Sequence, residues 1–244
     1  MALFSGVISK MYQDKWILVT GSSRGVGKLI SEHLLRNGAS VVGFARGKAS
    51  IEHPKYFHMQ IDIGDIQSIK GGFSRIRKLT NKLDVLVNNA AIATSQYVMI
   101  ASAGAMQEML NVNLLGTFLV SGEAAKLMYK NNHGRIINIG SMMSKLQPAG
   151  GAVYAACKAA LNTFSIILAK ELASYKVTSN TLAISALHTD MANQLSSEVL
   201  HQTISTLTFP RFAEPDDIFN VLDFFASERS SYITGQTIYL GGVS

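Results

Sequence analysis

Cysteine, tryptophan and charge are all scarce in this chain of 244 residues, which has one Cys, one Trp and only 16% charged residues. The lone Cys157 excludes an intrachain disulfide and fits a reducing compartment, so the cytoplasm is the expected location and no metal is implied. With charge this low and hydrophobic residues at 48%, disorder is excluded and there is apolar surface enough for a sheet buried on both faces. Long hydrophobic runs are missing as well. The opening Met1 to Ser9 lacks a basic start and is interrupted by Lys10, so it does not read as a signal peptide. Later apolar stretches stop short of the roughly 20 residues that a membrane helix needs, and a soluble protein is expected. The net charge is +6, but the basic residues are scattered and form no run with interleaved aromatics. That argues against nucleic acid and leaves an anionic cofactor or substrate as the simpler destination of the surplus.

No repeat, low-complexity tract or abrupt change in composition divides the chain, so residues 1–244 are expected to form a single domain. Short apolar runs alternate with segments of helical period. Strands are expected at Trp16 to Thr20, Val41 to Phe44, Tyr56 to Ile61, Val85 to Val87, Ile136 to Ile139, Thr181 to Ile184 and Thr237 to Leu240. Helices are expected at Val26 to Asn37, Ile66 to Thr80, Met106 to Tyr129, Tyr154 to Ser174 and Pro215 to Ala226. This alternation implies an α/β fold, a Rossmann-like doubly wound parallel sheet of about seven strands with helices on both faces.

The turn after the first strand reads Thr20-Gly21-Ser22-Ser23-Arg24-Gly25-Val26-Gly27. Glycines at these offsets let backbone approach a pyrophosphate at a helix N-terminus, which makes the segment a dinucleotide-binding loop, with Gly21, Ser23, Arg24, Gly25, Val26 and Gly27 along the cofactor. A site for NAD would place a carboxylate near the end of the second strand to meet the adenosine ribose. Here that strand ends in Phe44-Ala45-Arg46, and Arg46, with Arg24 in the loop, suits a 2′-phosphate. The cofactor expected is NADP(H).

Tyr154 and Lys158 lie one helical turn apart, with Ser141 thirteen residues upstream of the tyrosine. Reduction of a carbonyl needs a proton donor, and a tyrosine of ordinary pKa near 10 is a reluctant one. A lysine charge one turn along is expected to lower that pKa, while the serine hydroxyl holds the carbonyl oxygen and the developing alkoxide.

With those residues in place, the chain resembles the short-chain dehydrogenase/reductase family from about Lys15 to Gly242. The cofactor loop, Asn88-Asn89-Ala90-Ala91, and the set Ser141, Tyr154 and Lys158 carry the resemblance. The resemblance implies that Asn113 completes a catalytic tetrad by holding a water on a proton relay through the lysine. It also implies that Asp62 and Ile63 lie beside the adenine, Asn89 and Ala90 along the ribose, Ala91 beside the cofactor path, and Leu187 and Thr189 against the nicotinamide carboxamide. Arg211-Phe212-Ala213-Glu214-Pro215 and Ser231-Tyr232-Ile233-Thr234-Gly235-Gln236 look most like the 3-oxoacyl-acyl-carrier-protein reductases. Three departures stand out: Ala91 for a glycine, Ile184-Ser185 for Pro-Gly before the substrate lid at about 185–210, and Leu240 for an aspartate.

The pocket wall expected from this register is Met142, Met143, Gln147, Leu187, His188 and Met191, suited to a medium, partly apolar ketone. The expected activity is NADPH-dependent reduction of a ketone to a secondary alcohol by a homotetramer or homodimer. The alternatives are an alcohol dehydrogenase or ketoreductase of a sugar or secondary-metabolite pathway and, more remotely, a non-catalytic NADPH-binding regulator. An acyl carrier protein is possible as a partner but not favoured. Relatives that use one carry arginines at two positions that by register are Asn132 and Tyr175 here.

Overall fold

The computed structural model describes residues 11–187 and 204–242. Seven strands form one parallel sheet: β1 (Trp16–Thr20), β2 (Ser40–Ala45), β3 (Tyr56–Gln60), β4 (Val85–Asn88), β5 (Gly134–Ser141), β6 (Val177–Ile184) and β7 (Thr237–Tyr239). Their order is β3-β2-β1-β4-β5-β6-β7. Strand order reverses beside β1, which pairs with both β2 and β4, so a crevice opens there at the carboxyl ends of the strands.

Alternate residues of each strand feed opposite layers, and both layers are apolar. Ile17 and Val19 face Ile30 and Leu34 of α1 (Gly25–Arg36), together with Ile218, Leu222 and Phe225 of the last helix, α7 (Pro215–Ala226). Leu18 faces the other way, onto Phe73 and Ile76 of α2 (Ile66–Leu79). The continuous apolar runs read in the sequence are thus the mark of a sheet covered twice.

Strand edges reach further than hydrophobicity indicates. β6 begins at Val177 because Thr178, Ser179 and Asn180 are buried, the last two on polar partners; the Asn180 amide, for instance, donates to the Ile233 carbonyl at 2.9 Å and accepts from the Gln236 N–H at 3.0 Å. β5 starts at Gly134, with Arg135 buried and reaching Glu228 at 3.3 Å.

The expected single helix from Met106 to Tyr129 is instead three pieces. These are α3 (Ala103–Leu110), a π-helical stretch (Asn111–Gly116) and α4 (Thr117–Asn131). Tertiary contact explains the widened turn. A Cβ on Gly116 would lie 2.1 Å from the Ile63 carbonyl oxygen, and Asn113 is drawn sideways onto the Ile92 backbone. A short helix, α5 (Met143–Leu146), follows β5, and α6 (Ala152–Leu172) begins two residues before Tyr154. By length and composition α6 with its following turn could cross a membrane, contrary to the expectation that no segment would. It packs one face along β5 and β6, burying Lys158, while Ile166 and Ile167 on it stay exposed.

Candidate active site

The glycine loop sits at the crevice and its glycines are required by space. Gly21 has φ +69° and Gly25 +52°, left-handed values that a side chain would strain. A Cβ on Gly27 would stand 2.2 Å from the Gly21 carbonyl oxygen, so the first turn of α1 presses on the loop itself. Thr20 clips β4 to this loop: its Oγ1 accepts from the N–H groups of Asn89 and Ala90, both at 3.0 Å. The Asn89 amide returns a hydrogen bond to the Thr20 carbonyl at 2.9 Å. No side chain caps the N-terminus of α1, leaving its N–H donors directed at the crevice. A narrow backbone cradle with free donors fits a pyrophosphate.

At the rim, Ala45 is buried and ends β2, while Arg46 is 54% exposed and lies 3.7 Å from Glu108 of α3. Arg24 is exposed in the loop, Ser23 and Val26 are half-buried, and Ser23 also accepts at its carbonyl from the Ser50 hydroxyl at 2.6 Å. Asp62 turns the chain by accepting from the Gly64 N–H at 2.8 Å, with Ile63 buried behind it. Ala90 and Ala91 are half-buried along the same edge.

Ser141 is the last residue of β5, and its Oγ accepts from the Met143 N–H at 3.2 Å. Tyr154 faces it from α6. Burial pushes the Tyr154 phenol up to about 12, and a hydrogen bond with Ser141 pulls against that rise. Lys158 is 3% exposed, with Nζ donating to the Ile139 carbonyl at 2.7 Å and standing 5.7 Å from the centre of the Tyr154 ring. Burial holds its pKa down at about 8. The expected lowering of the tyrosine by the lysine is absent: desolvation favours the neutral form of each, and the only group pulling the phenol down is Ser141. At neutral pH the phenol keeps its proton and most of the ammonium keeps its charge, an arrangement fit to deliver a proton to an oxygen lodged between Ser141 and Tyr154.

The model of the short chain dehydrogenase family matches residues 15–200. The chain is a member of the short-chain dehydrogenase family. It is 36% identical over 240 residues to the 3-oxoacyl-acyl-carrier-protein reductase of Aquifex aeolicus (strain VF5), covering 94% of this chain and 97% of that protein. To the reductase of the same description from Escherichia coli (strain K12) it is 33% identical over 237 residues, with coverage of 95% and 97%. Among solved structures, a putative gluconate dehydrogenase from Agrobacterium tumefaciens superposes with a TM-score of 0.87 at 26% identity, covering 96% of this chain and 97% of that one.

The remaining expected residues of this short-chain dehydrogenase divide four ways. Met142 is buried beside Ser141, with its N–H on the Ile184 carbonyl at 3.0 Å, and Met143 is half-buried next to it. Leu187 is buried in the apolar layer of α1 and α7. Gln147 lies further out, exposed and left-handed at the end of α5. His188, Thr189 and Met191 lie outside the described residues, as does most of the expected lid.

Asn113 is placed differently from a side-chain water ligand. Its amide oxygen accepts from the Ile92 N–H at 2.8 Å and its amide nitrogen donates to the Ile92 carbonyl at 2.7 Å. The Asn113 main-chain carbonyl accepts from the Thr117 hydroxyl at 3.2 Å.

Three residues that sequence reasoning missed stand behind Ser141. The Ser144 hydroxyl donates to the Ser141 carbonyl at 2.8 Å and lies 3.2 Å from the Tyr239 hydroxyl, which accepts from the Asn162 amide at 2.9 Å. They come from α5, β7 and α6, and no spacing in the sequence joins them.

Proposed function

We propose that this short-chain dehydrogenase is an NADPH-dependent reductase that converts a ketone to a secondary alcohol, in the manner of the 3-oxoacyl-acyl-carrier-protein reductases it resembles. The observation that carries this reading is the meeting of Tyr154 with Ser141, one helical turn from the buried Lys158. Tyr154 serves as the acid, Ser141 holds the carbonyl oxygen, and Lys158 supplies charge and a clamp for the ribose. Asn113 anchors the relay through its main chain. Gly21, Ser23, Arg24, Gly25, Val26 and Gly27 cradle the pyrophosphate, with Ala45, Arg46, Asp62, Ile63 and Asn89 to Ala91 along the adenosine. When bound, the cofactor supplies the hydride. Met142, Met143 and the lid give an adaptable, partly apolar pocket.

Absence of a carboxylate at Ala45 and Arg46 favours a 2′-phosphate over a free ribose hydroxyl. Release of Arg46 from Glu108 costs little, since both partners are more than half exposed. A cytoplasmic homotetramer or homodimer is the assembly this reading favours. The likeness to a putative gluconate dehydrogenase supports a second reading, oxidation of a hydroxyl on a sugar-type substrate. A panel of ketones and secondary alcohols, followed by absorbance of the reduced nicotinamide, decides between them. Fast NADPH oxidation by 3-oxoacyl thioesters or medium ketones supports the proposal. Turnover confined to polyols with NAD contradicts it.

A further inference from the structure

The hydrogen bonds behind Ser141 run in one direction. Ser144 gives its proton to the Ser141 carbonyl, so the 3.2 Å contact between the Ser144 and Tyr239 hydroxyls requires Tyr239 to donate. The phenol oxygen in turn receives a proton from Asn162 at 2.9 Å. A chain of donors therefore passes from the Asn162 amide through the Tyr239 hydroxyl and the Ser144 hydroxyl to the backbone of Ser141, and each link polarises the next. Lys145 stands over the same ring, with Nζ 5.3 Å from its centre.

This chain joins the two elements that must keep a fixed separation. Ser141 and Ser144 belong to the end of β5 and to α5, whereas Tyr154, Lys158 and Asn162 follow one another at four-residue spacing along α6. The helix is fastened at two successive turns, by Lys158 to the Ile139 carbonyl at 2.7 Å and by Asn162 to Tyr239. The first contact ties α6 to β5, and the second ties it to β7. Among the described residues the Asn162 amide oxygen is buried without a partner, and the side chain acts through its nitrogen.

We infer that Tyr239 is a positioning residue for carbonyl reduction, holding Ser141 in register with Tyr154 through Ser144. The inference rests on the proposed roles of Ser141 and Tyr154. Tyr239→Phe keeps the ring in place and removes one oxygen, and Ser144→Ala cuts the next link. Each is expected to lower kcat for ketone reduction about five- to thirtyfold, with the Kd for NADPH within about twofold of the parent enzyme. Because Ser141 pulls the Tyr154 pKa down, slackening it moves the rising limb of the pH profile for alcohol oxidation to higher pH in both variants. The double variant is expected to be no more than about twofold slower than the slower single one, since both cut the same chain. Independent, multiplying losses overturn the inference, as does an unmoved pH profile accompanied only by lower thermal stability. Failure of the underlying reading looks different: the parent enzyme then turns over no ketone, or Tyr154→Phe remains active.

Discussion

Burial at Tyr154 and Lys158 works against the charged form of each, and the two shifts have separate consequences. Lys158 titrates near 8 in the fold and near 10.4 in an unfolded chain. Between pH 8 and pH 10 the unfolded lysine retains a proton that the folded one sheds, so unfolding takes up protons and stability rises with pH. Lys158→Met removes that titration. Chemical denaturation at pH 7 and pH 10 should show the parent protein gaining about 2 to 3 kcal/mol on the variant across the interval; parallel stabilities would refute a depressed lysine. Arg46 makes a second test. Arg46→Ala should weaken NADPH by about 1.5 to 3 kcal/mol and spare NADH in binding titrations, and Ala45→Asp should turn preference toward NADH. Equal losses for both cofactors would show that the phosphate is held elsewhere. That Tyr154 would meet Ser141, with Lys158 close by, was legible in their types and spacing. Glu108, Ser144, Asn162 and Tyr239 were not, because their contacts depend on how four separate elements dock.

Helices and strands were legible where hydrophobic period alone decides them. The first strand and the last helix fall where apolar periodicity places them, and Trp16–Thr20 and Pro215–Ala226 are matched residue for residue. The misses share a cause, tertiary contacts overriding local pattern. β6 extends over Ser179 and Asn180 because loop groups at Ile233, Thr234 and Gln236 satisfy them, and the π-helical stretch opens where Asn113 turns to Ile92 and Gly116 to Ile63. The junction of β1 and α1 is the tightest of these packings. Gly27→Ala places a methyl group 2.2 Å from the Gly21 carbonyl oxygen, and backbone must move to admit it. The expected outcome is loss of at least about tenfold in cofactor affinity by fluorescence titration, with the sheet intact by circular dichroism. Unchanged affinity would mean that the loop does not hold the pyrophosphate.

The parallel sheet gathers at one edge the glycine loop after β1, Arg46 after β2, Asn89 after β4 and Ser141 at the end of β5, and α6 brings Tyr154 and Lys158 to them. Such convergence follows from strand order, and the alternating apolar pattern was enough to anticipate it. Partner recognition is less determined. Asn132 is left-handed at the end of α4, and Tyr175 stands edge-on to Tyr129 at 4.7 Å, so neither offers the bidentate charge that an acidic carrier would grip, although Lys130 and Lys176 lie beside them. A small thioester is accordingly expected to be reduced with kcat/KM within about tenfold of its carrier-bound form, and a hundredfold carrier preference that collapses in salt would contradict this. The central claim is proton delivery by Tyr154, and Tyr154→Phe tests it most directly. Assayed with NADPH and any ketone the parent enzyme reduces, the variant should lose roughly two to four orders of magnitude in kcat while binding NADPH as before. Residual turnover above about a tenth of the parent rate, with the cofactor bound normally, would contradict the account.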